Sequence, residues 1–159
     1  MNRTHIVKLI VSIVVCQLAG VVGSVFTAKS VSTWYVTLRK PAFTPPGWLF
    51  APVWISLYAL MGIALFLVWR KGLESAGAKA AITIFAVQLV LNAAWSVAFF
   101  GTRSPLAGLV VIVLLLGAIL VTIARFYSIS IPAGILLLPY VVWVAFATLL
   151  NGWLYVLNR

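Results

Sequence analysis

The sequence predicts an all-α integral membrane protein, a bundle of five transmembrane helices with a structured loop between the first two. Composition is the first observation, because 65% of the 159 residues are hydrophobic and 8% are charged, whereas a soluble domain carries about a quarter charged residues. The second is that five apolar runs recur, each with about 20 residues or more, enough to cross a ~30 Å hydrocarbon core as a helix. The third is a loop rich in Trp and Pro.

The five helices are predicted to form a single domain over residues 1–159, with the chain ends on opposite sides of the membrane. Backbone polar groups must be paired in lipid, and the runs lack the alternation of barrel strands, so each run is interpreted as a helix. The predicted helices cover residues 6–26, 48–69, 79–100, 105–127 and 132–157.

The first helix is followed by the longest connection, residues 27–47. The first run is not expected to be a signal peptide, because it is too long and lacks a clear small-residue cleavage site. Residues 34–54, WYVTLRKPAFTPPGWLFAPVW, are interpreted as an ordered lid joined to the start of the second helix. Thr44 before Pro45-Pro46 predicts an N-cap, with proline in the first turn of that helix.

Polar and aromatic stripes predict which helix faces point into the bundle. An amide in hydrocarbon is costly, so these residues should find partners inside. Two interpretations stay open: hydrogen bonds and aromatic packing of a core, or an aromatic-lined cavity for a flat apolar ligand. The stripes, at helical spacing, are Trp54, Tyr58 and Met61 on the second helix, Gln88, Asn92, Trp95 and Phe99 on the third, and Tyr140, Trp143, Ala147, Leu150 and Asn151 on the fifth.

The last two helices differ from each other in pattern. The fourth is apolar on every side until its last turn, which indicates wide exposure to lipid. The fifth contains Pro139, which should kink it and could open space beside Trp143.

The net charge of +10 comes from eleven Lys or Arg residues against one acid, Glu74. The basic residues lie near the ends of the apolar runs, where they anchor helices at lipid headgroups, so no nucleic-acid partner is expected. The protein is predicted to be a multi-pass protein of a prokaryotic cell membrane. Its orientation stays open, because basic residues are divided almost equally between the two sides.

The sequence lacks the residue sets that most enzyme mechanisms require. There is no Asp, the single Glu74 lies in a loop, the only His is His5 near the terminus, and the lone Cys16 lies in an apolar run. No catalytic triad, metal-ligand cluster or phosphate-binding loop can be assembled. We therefore expect no acid–base enzyme, no metal site and no required cofactor. A proton-coupled transporter is disfavoured, since no carboxylate or His lies at membrane depth.

Seven short motifs together resemble the TspO/MBR family, which includes the tryptophan-rich sensory proteins and the mitochondrial translocator protein (peripheral-type benzodiazepine receptor). Their order and spacing agree with that family over the whole chain. The motifs are W-Y-x-x-L-x-K-P at residues 34–41, P-P-G-W at 45–48, P-V-W at 52–54, L-N-x-x-W at 91–95, F-F-G at 99–101, P-Y-x-x-W at 139–143 and A-F-A-T-x-L-N at 145–151.

The resemblance implies a five-helix bundle, often dimeric, that binds porphyrins such as protoporphyrin IX and haem, sterols, and synthetic isoquinoline or benzodiazepine ligands. Some bacterial members support light-dependent porphyrin breakdown through two pocket tryptophans. These match Trp54 and Trp143 here, which the resemblance thus makes the catalytic candidates. By matching position, the pocket would comprise Trp54, Tyr58, Asn92, Trp95, Trp143, Ala147 and Leu150, with Trp34 and Pro45 in the lid.

Two features bear on ligand preference. Ala93 and Ala94 stand where many relatives have a second aromatic residue, so the pocket wall could differ in shape. The carboxyl end satisfies the permissive cholesterol pattern through Leu150, Tyr155 and Arg159, although ordinary interface anchoring gives the same pattern.

The leading hypothesis is a receptor-like membrane protein for porphyrin or haem, with other apolar small molecules, lipid or sterol as further partners. Transport of such ligands and Trp-dependent porphyrin photodegradation are the alternatives. A third interpretation is a structural or regulatory protein. Small residues at four-residue spacing, such as Ala19–Gly23 and Ala94–Ala98, could serve packing within the chain or a homodimer.

Overall fold

The computed structural model describes residues 3–159, which are entirely helical apart from their connections. Five helical segments in this part of the chain are long and apolar enough to cross a membrane: Arg3–Val31, Gly47–Trp69, Ala76–Gly101, Pro105–Ile129 and Ile131–Leu157. The predicted fold class, an all-α bundle of five transmembrane helices, is therefore confirmed.

Six α-helices build these five spans, because the last span is made of two. A 3₁₀ turn at Gly47–Leu49 leads into the second helix, and a π-helical turn at Val97–Gly101 extends the third. Another 3₁₀ turn, Tyr35–Thr37, lies in the loop between the first two helices. The α-helices are α1 (Arg3–Val31), α2 (Phe50–Trp69), α3 (Ala76–Ser96), α4 (Pro105–Ile129), α5 (Ile131–Leu136) and α6 (Leu138–Leu157).

The start of α2 differs from the sequence-based prediction. The Thr44 hydroxyl donates to the Pro41 carbonyl at 2.8 Å, and the Thr44 N–H reaches the same oxygen at 3.1 Å. The side chain is thus used in a turn of the loop. Pro46 is extended, with φ −63° and ψ 143°, and helical structure begins at Gly47. The predictions that Thr44 caps α2 and that Pro45-Pro46 forms its first turn are therefore wrong.

Two other helices, α3 and α4, begin with serine caps. The Ser75 hydroxyl accepts from the Ala78 N–H at 3.1 Å at the start of α3. The Ser104 hydroxyl accepts from the Ala107 N–H at 3.1 Å at the start of α4, and a proline follows Ser104 at the first helical position. Each cap satisfies a backbone donor that the helix leaves unpaired. The carboxyl end of α1 lies at Val31, five residues past the predicted end, which shortens the lid loop.

The helices form a closed ring in the order α1, α2, α5 with α6, α4 and α3. The predicted kink at Pro139 is confirmed: α5 ends at Leu136, and α6 restarts at Leu138 with the proline in its first turn. Because of this break, α2 packs closely on α5 and only sparsely on α6. The bundle is therefore closely packed where α2 meets α5. Its loop side, where α2 and α6 diverge, is filled by large aromatic side chains.

Glycines bring α1 close to its neighbours. A Cβ atom on Gly62 of α2 would lie 2.6 Å from the Ile13 Cα atom, and one on Gly20 would lie 2.5 Å from the Tyr58 ring. One on Gly23 would lie 2.9 Å from the Ser96 hydroxyl on α3. The small residues of α1 therefore serve packing within the chain, one of the two roles that the sequence left open.

Candidate ligand-binding site

A chain of hydrogen bonds joins α2, α3 and α6 at the centre of the bundle. The Tyr58 hydroxyl donates to Asn92 Oδ1, and Asn92 Nδ2 donates to the Tyr140 hydroxyl at 2.9 Å. The Tyr140 hydroxyl in turn donates to Gln88 Oε1 at 2.8 Å. All four residues are buried. The amides that sequence analysis placed inside the bundle thus lie there, paired with tyrosines from facing helices.

Trp54 lies directly above this polar chain, on the side of the loop. Its ring stacks on Tyr58 with centroids 5.5 Å apart and planes at 29°, and it meets Tyr140 edge-on at 6.4 Å. Offset stacks and edge contacts at such distances are favourable aromatic geometries. Trp54 is only partly buried.

Trp143 anchors a second group of rings. It meets Phe50 edge-on with centroids 5.8 Å apart and Phe146 at 5.7 Å. Phe146 is in turn covered by Phe43 of the loop at 6.3 Å. The group therefore connects α6 with the first turn of α2 and with the lid, at the place where these two helices diverge.

Trp95 belongs to a third group, at the π-helical end of α3. Its indole N–H donates to Asn151 Oδ1 on α6 at 3.1 Å, and Asn151 Nδ2 donates to the Pro105 carbonyl of α4 at 2.7 Å. The Trp95 ring stacks on Phe99 with centroids 5.4 Å apart and planes at 22°. The π-turn brings Phe99 and Phe100 edge-to-face at 4.8 Å, and such turns are frequent at functional sites.

The lid rests on this third group. Trp34 meets Phe99 edge-on at 5.4 Å, and Tyr35 packs on Phe100 with centroids 5.8 Å apart. Lys40 Nζ lies 4.6 Å above the Tyr35 ring, a cation–π contact. Burial raises the pKa of Tyr35 above its ordinary value, so the phenol stays neutral well past physiological pH. The lid is thus packed on the bundle through aromatic contacts.

The predicted pocket residues are brought into neighbouring groups on the loop side of the bundle. Tyr58 and Asn92 are joined directly, and Trp34 and Trp95 share Phe99 as a neighbour. Ala147 and Pro45 are partly buried. Leu150 is buried in the apolar cluster beneath the lid.

Ring contacts lie where the cavity was predicted, as that of Trp143 with Phe50 does. Grooves of about 580 and 300 Å³ lie elsewhere on the bundle, and neither is lined by a predicted wall residue. A flat ligand that enters between Trp143 and Phe50 must separate these two rings. The side chains of this site offer ring faces, hydroxyls and amides, which are groups for contact with a flat organic ligand. Among residues 3–159, no group of three or more His, Cys, Asp or Glu could hold a metal ion.

The three residues of the cholesterol pattern do not share one surface. Leu150 packs inside, in the cluster beneath the lid, whereas Tyr155 lines the outer groove between α4 and α6. Arg159 lies beyond the end of α6 at Leu157. A sterol in the outer groove would meet Tyr155 without Leu150.

Tyr140 and Gln88, which the stripes had placed inside the bundle, complete the polar chain, although the resemblance did not include them in the pocket. Sequence analysis missed Phe50 and Phe146, which flank Trp143. Helical spacing could have suggested them, since Phe50 lies four residues before Trp54 and Phe146 three after Trp143. No local signal indicates Asn158, whose side chain binds the lid backbone at Arg39.

Comparison with known proteins agrees with the motifs. The sequence model of the TspO/MBR family matches residues 12–156. "Tryptophan-rich protein TspO" of Archaeoglobus fulgidus is 47% identical over 154 residues, 97% of this chain and 99% of that protein. The protein with the same name from Chlorobaculum tepidum is 46% identical over 158 residues, 99% of both chains. "Translocator protein" of Bos taurus is 39% identical over 136 residues, 85% of this chain and 80% of that protein.

Proposed function

The chain belongs to the TspO/MBR family, and we propose that it binds porphyrin or haem between the tryptophan rings on the loop side of the bundle. It is a multi-pass integral membrane protein, and its similarity to archaeal and bacterial proteins supports a prokaryotic source. Family membership also supports a receptor-like role in the membrane. The ligand and the site are the parts that we propose.

The arrangement of Trp54 carries the proposal. Its side chain is only partly buried, and its ring stacks at 5.5 Å on Tyr58, whose hydroxyl donates to Asn92 Oδ1. A porphyrin is a flat ring system with two apolar faces, which favours contact with aromatic rings that are held rigidly. Trp143, also partly buried, offers a second such ring on α6. The divergence of α2 from α6 supports a place for the ligand between these two tryptophans.

Charges at the lid suit the acidic rim of such a ligand. Arg39 and Lys40 lie in the loop above the rings, and Lys40 is positioned over Tyr35. Porphyrins of biological pathways carry carboxylates, which would pair with these cations where the site meets the headgroups. Lipid phosphates compete for the same cations, so the lid charges should contribute to affinity without determining it.

Binding requires the lid side to open. Trp143 touches Phe50, and the lid is held by the contact of Trp34 with Phe99. A ligand that inserts between the rings exchanges these contacts for its own faces. We therefore expect association to be slower than diffusion and to accelerate when the lid is loosened.

Titration with protoporphyrin IX tests the proposal. Purified protein in detergent or nanodiscs should show saturable quenching of Trp emission. An isoquinoline ligand of the kind that TspO/MBR proteins bind should compete for the same site. Linear quenching without saturation, equal to that of free tryptophan in the same detergent, would contradict specific binding.

Trp-dependent porphyrin photodegradation is the second candidate, supported by the two partly exposed tryptophans at the site. It predicts loss of porphyrin absorbance in illuminated samples and not in dark ones. Transport would instead appear as porphyrin flux into proteoliposomes. Binding that is saturable but gives neither flux nor light-dependent loss would leave the receptor-like role.

A further inference from the structure

Three tryptophans lie in one layer of the bundle, on the loop side of the buried polar chain. The helix α2 begins at the lid, whereas α3 and α6 end there. Each tryptophan is one helical turn closer to the lid than a member of the polar chain on the same helix face. These pairs are Trp54 with Tyr58 on α2, Trp95 with Asn92 on α3, and Trp143 with Tyr140 on α6. Trp95 therefore belongs to the same layer as the two rings between which the ligand is proposed to bind.

Trp95 is held by Asn151 of α6. Its indole N–H donates to Asn151 Oδ1 at 3.1 Å, and Asn151 is buried. An indole has a single donor, and this bond uses it, so Trp95 meets a ligand through its ring. The same ring stacks on Phe99, with centroids 5.4 Å apart. The hydrogen bond and the stack together restrict rotation of the indole.

Asn151 is in turn held by α4, a helix without predicted pocket residues. Asn151 Nδ2 donates to the Pro105 carbonyl, at the first position of α4, at 2.7 Å. A Cβ atom on Gly108, one turn further on, would lie 2.9 Å from Asn151 Oδ1 and 2.6 Å from the Phe99 ring. The absence of a side chain at Gly108 thus lets α4 approach both groups that hold Trp95.

Phe99 is fixed from the opposite side by α1. It lies in the π-helical turn, whose Phe100 carbonyl accepts from the buried Ser30 hydroxyl at 2.8 Å. A ring that is already fixed loses little freedom when a ligand stacks on it, which favours binding. The fixed orientation of Trp95 is therefore a feature on which ligand affinity can depend.

We propose that Asn151 is a positioning residue of the aromatic site, which acts through Trp95, and that Gly108 of α4 sets its place. The inference rests on the proposed function, because the ligand is the same flat porphyrin. Asn151 does not touch this ligand. It holds the indole so that Trp95 forms a third wall of the layer beside Trp54 and Trp143.

Porphyrin affinity tests the positioning role. Asn151→Ala frees the indole, so protoporphyrin IX should bind about fivefold more weakly in nanodiscs, as followed by the Soret absorbance. Thr148→Ala is the matched control on the same helix. It removes a hydroxyl that bonds to the Val144 carbonyl one turn earlier at 2.7 Å, and it should leave the affinity unchanged.

The indole N–H signal of Trp95 shows the effect directly. The protein has seven tryptophans, and after ¹⁵N labelling of their indoles the signal of Trp95 is the one that Trp95→Phe removes. Asn151→Ala should move this proton signal upfield and accelerate its exchange with D₂O. A merely structural role for Asn151 would lower the melting temperature and leave the signal in place.

Gly108→Ala reaches the same groups from α4, and it provides the test if Asn151→Ala does not fold. The added methyl group must displace Asn151 or Phe99, so it should shift the Trp95 signal and weaken porphyrin binding. Gly117→Ala is the control on α4, because a Cβ atom there meets nothing within 4 Å.

A double-mutant cycle tests whether Asn151 acts through Trp95. The variant with both Trp95→Phe and Asn151→Ala should bind protoporphyrin IX as weakly as Trp95→Phe alone. Additive losses would contradict the positioning role, as would an unmoved Trp95 signal. Saturable binding of equal affinity in the unmodified chain, Asn151→Ala and Gly108→Ala would overturn this inference and leave the proposed function intact. If the unmodified chain shows no saturable binding, the proposed function fails and this inference fails with it.

Discussion

Asn158, just after the end of α6, holds the backbone of Arg39, which lies 119 residues earlier in the lid. Its Oδ1 atom accepts from the Arg39 N–H at 2.9 Å, and its Nδ2 atom donates to the Arg39 carbonyl at 2.9 Å. The same Nδ2 atom also reaches the Leu154 carbonyl at 2.8 Å. One amide therefore ties the lid to the helix that carries Trp143.

Loss of this amide should loosen the lid. Asn158→Ala removes two hydrogen bonds from an exposed loop, each with a net contribution of about 1 kcal/mol, so the open population should rise about tenfold or more. The measurement is the rate of tryptic cleavage after Arg39 in reconstituted protein. Cleavage after Arg103, in the α3–α4 turn on the same side, is the internal control and should not change. Equal acceleration at both sites would indicate general unfolding instead.

The fold should lose stability when Tyr140, in the middle of the buried chain of hydrogen bonds, loses its hydroxyl. Tyr140→Phe leaves Asn92 Nδ2 and Gln88 Oε1 without their partner, and should destabilise the protein by about 1–3 kcal/mol. Unfolding in mixed micelles with increasing denaturing detergent measures the change.

Two comparisons test the cause of this loss. Tyr127→Phe, at an exposed position near the end of α4, should be neutral. Adding Gln88→Leu to Tyr140→Phe should recover part of the loss, because one orphaned acceptor is then removed. If Tyr140→Phe is as mild as Tyr127→Phe, the polar chain does not stabilise the fold.

Close packing of α1 on α2 should make one glycine intolerant of a methyl group. A Cβ atom on Gly62 would lie 2.6 Å from the backbone of Ile13, so Gly62→Ala must push the two helices apart. Such overpacking costs about 1–3 kcal/mol. Gly117 on α4 is the matched control, because a Cβ atom there meets nothing within 4 Å. Gly117→Ala should be neutral or stabilising by up to about 1 kcal/mol, and thermal unfolding of both variants provides the test.

The fold could be predicted from the sequence because lipid imposes a strong constraint. A run of apolar residues of membrane length has one stable backbone solution, so the number and type of the spans follow. The break before Pro139 follows from the missing proline N–H. The start of α2 could not be predicted in the same way, because the Thr44 hydroxyl can either accept from a helix N–H as a cap or donate to a carbonyl in a turn. It donates to the Pro41 carbonyl within its own turn.

Helical spacing predicted which residues belong to the candidate site better than it predicted the shape of the site. Periodicity indicated that Asn92 and Gln88 face inward, and the structure pairs both with Tyr140. It could not show that the rings would pack on one another, because that depends on the crossing of α2 and α6. The clamp at Asn158 also escaped prediction, since an exposed amide at a helix end has many local partners available.

Porphyrin affinity of the variant with both Trp54→Ala and Trp143→Ala is the most direct test of the proposed site. The matched control replaces Trp48 and Trp153, which are 73% and 45% exposed and lie outside the site. Protoporphyrin IX binding is followed by the Soret absorbance, so that loss of Trp emission does not confound the result. We expect binding at least tenfold weaker in the site variant, since each aromatic contact contributes about 1 kcal/mol, and unchanged binding in the control. Equal affinity of the site variant and the unmodified chain would contradict the proposed site.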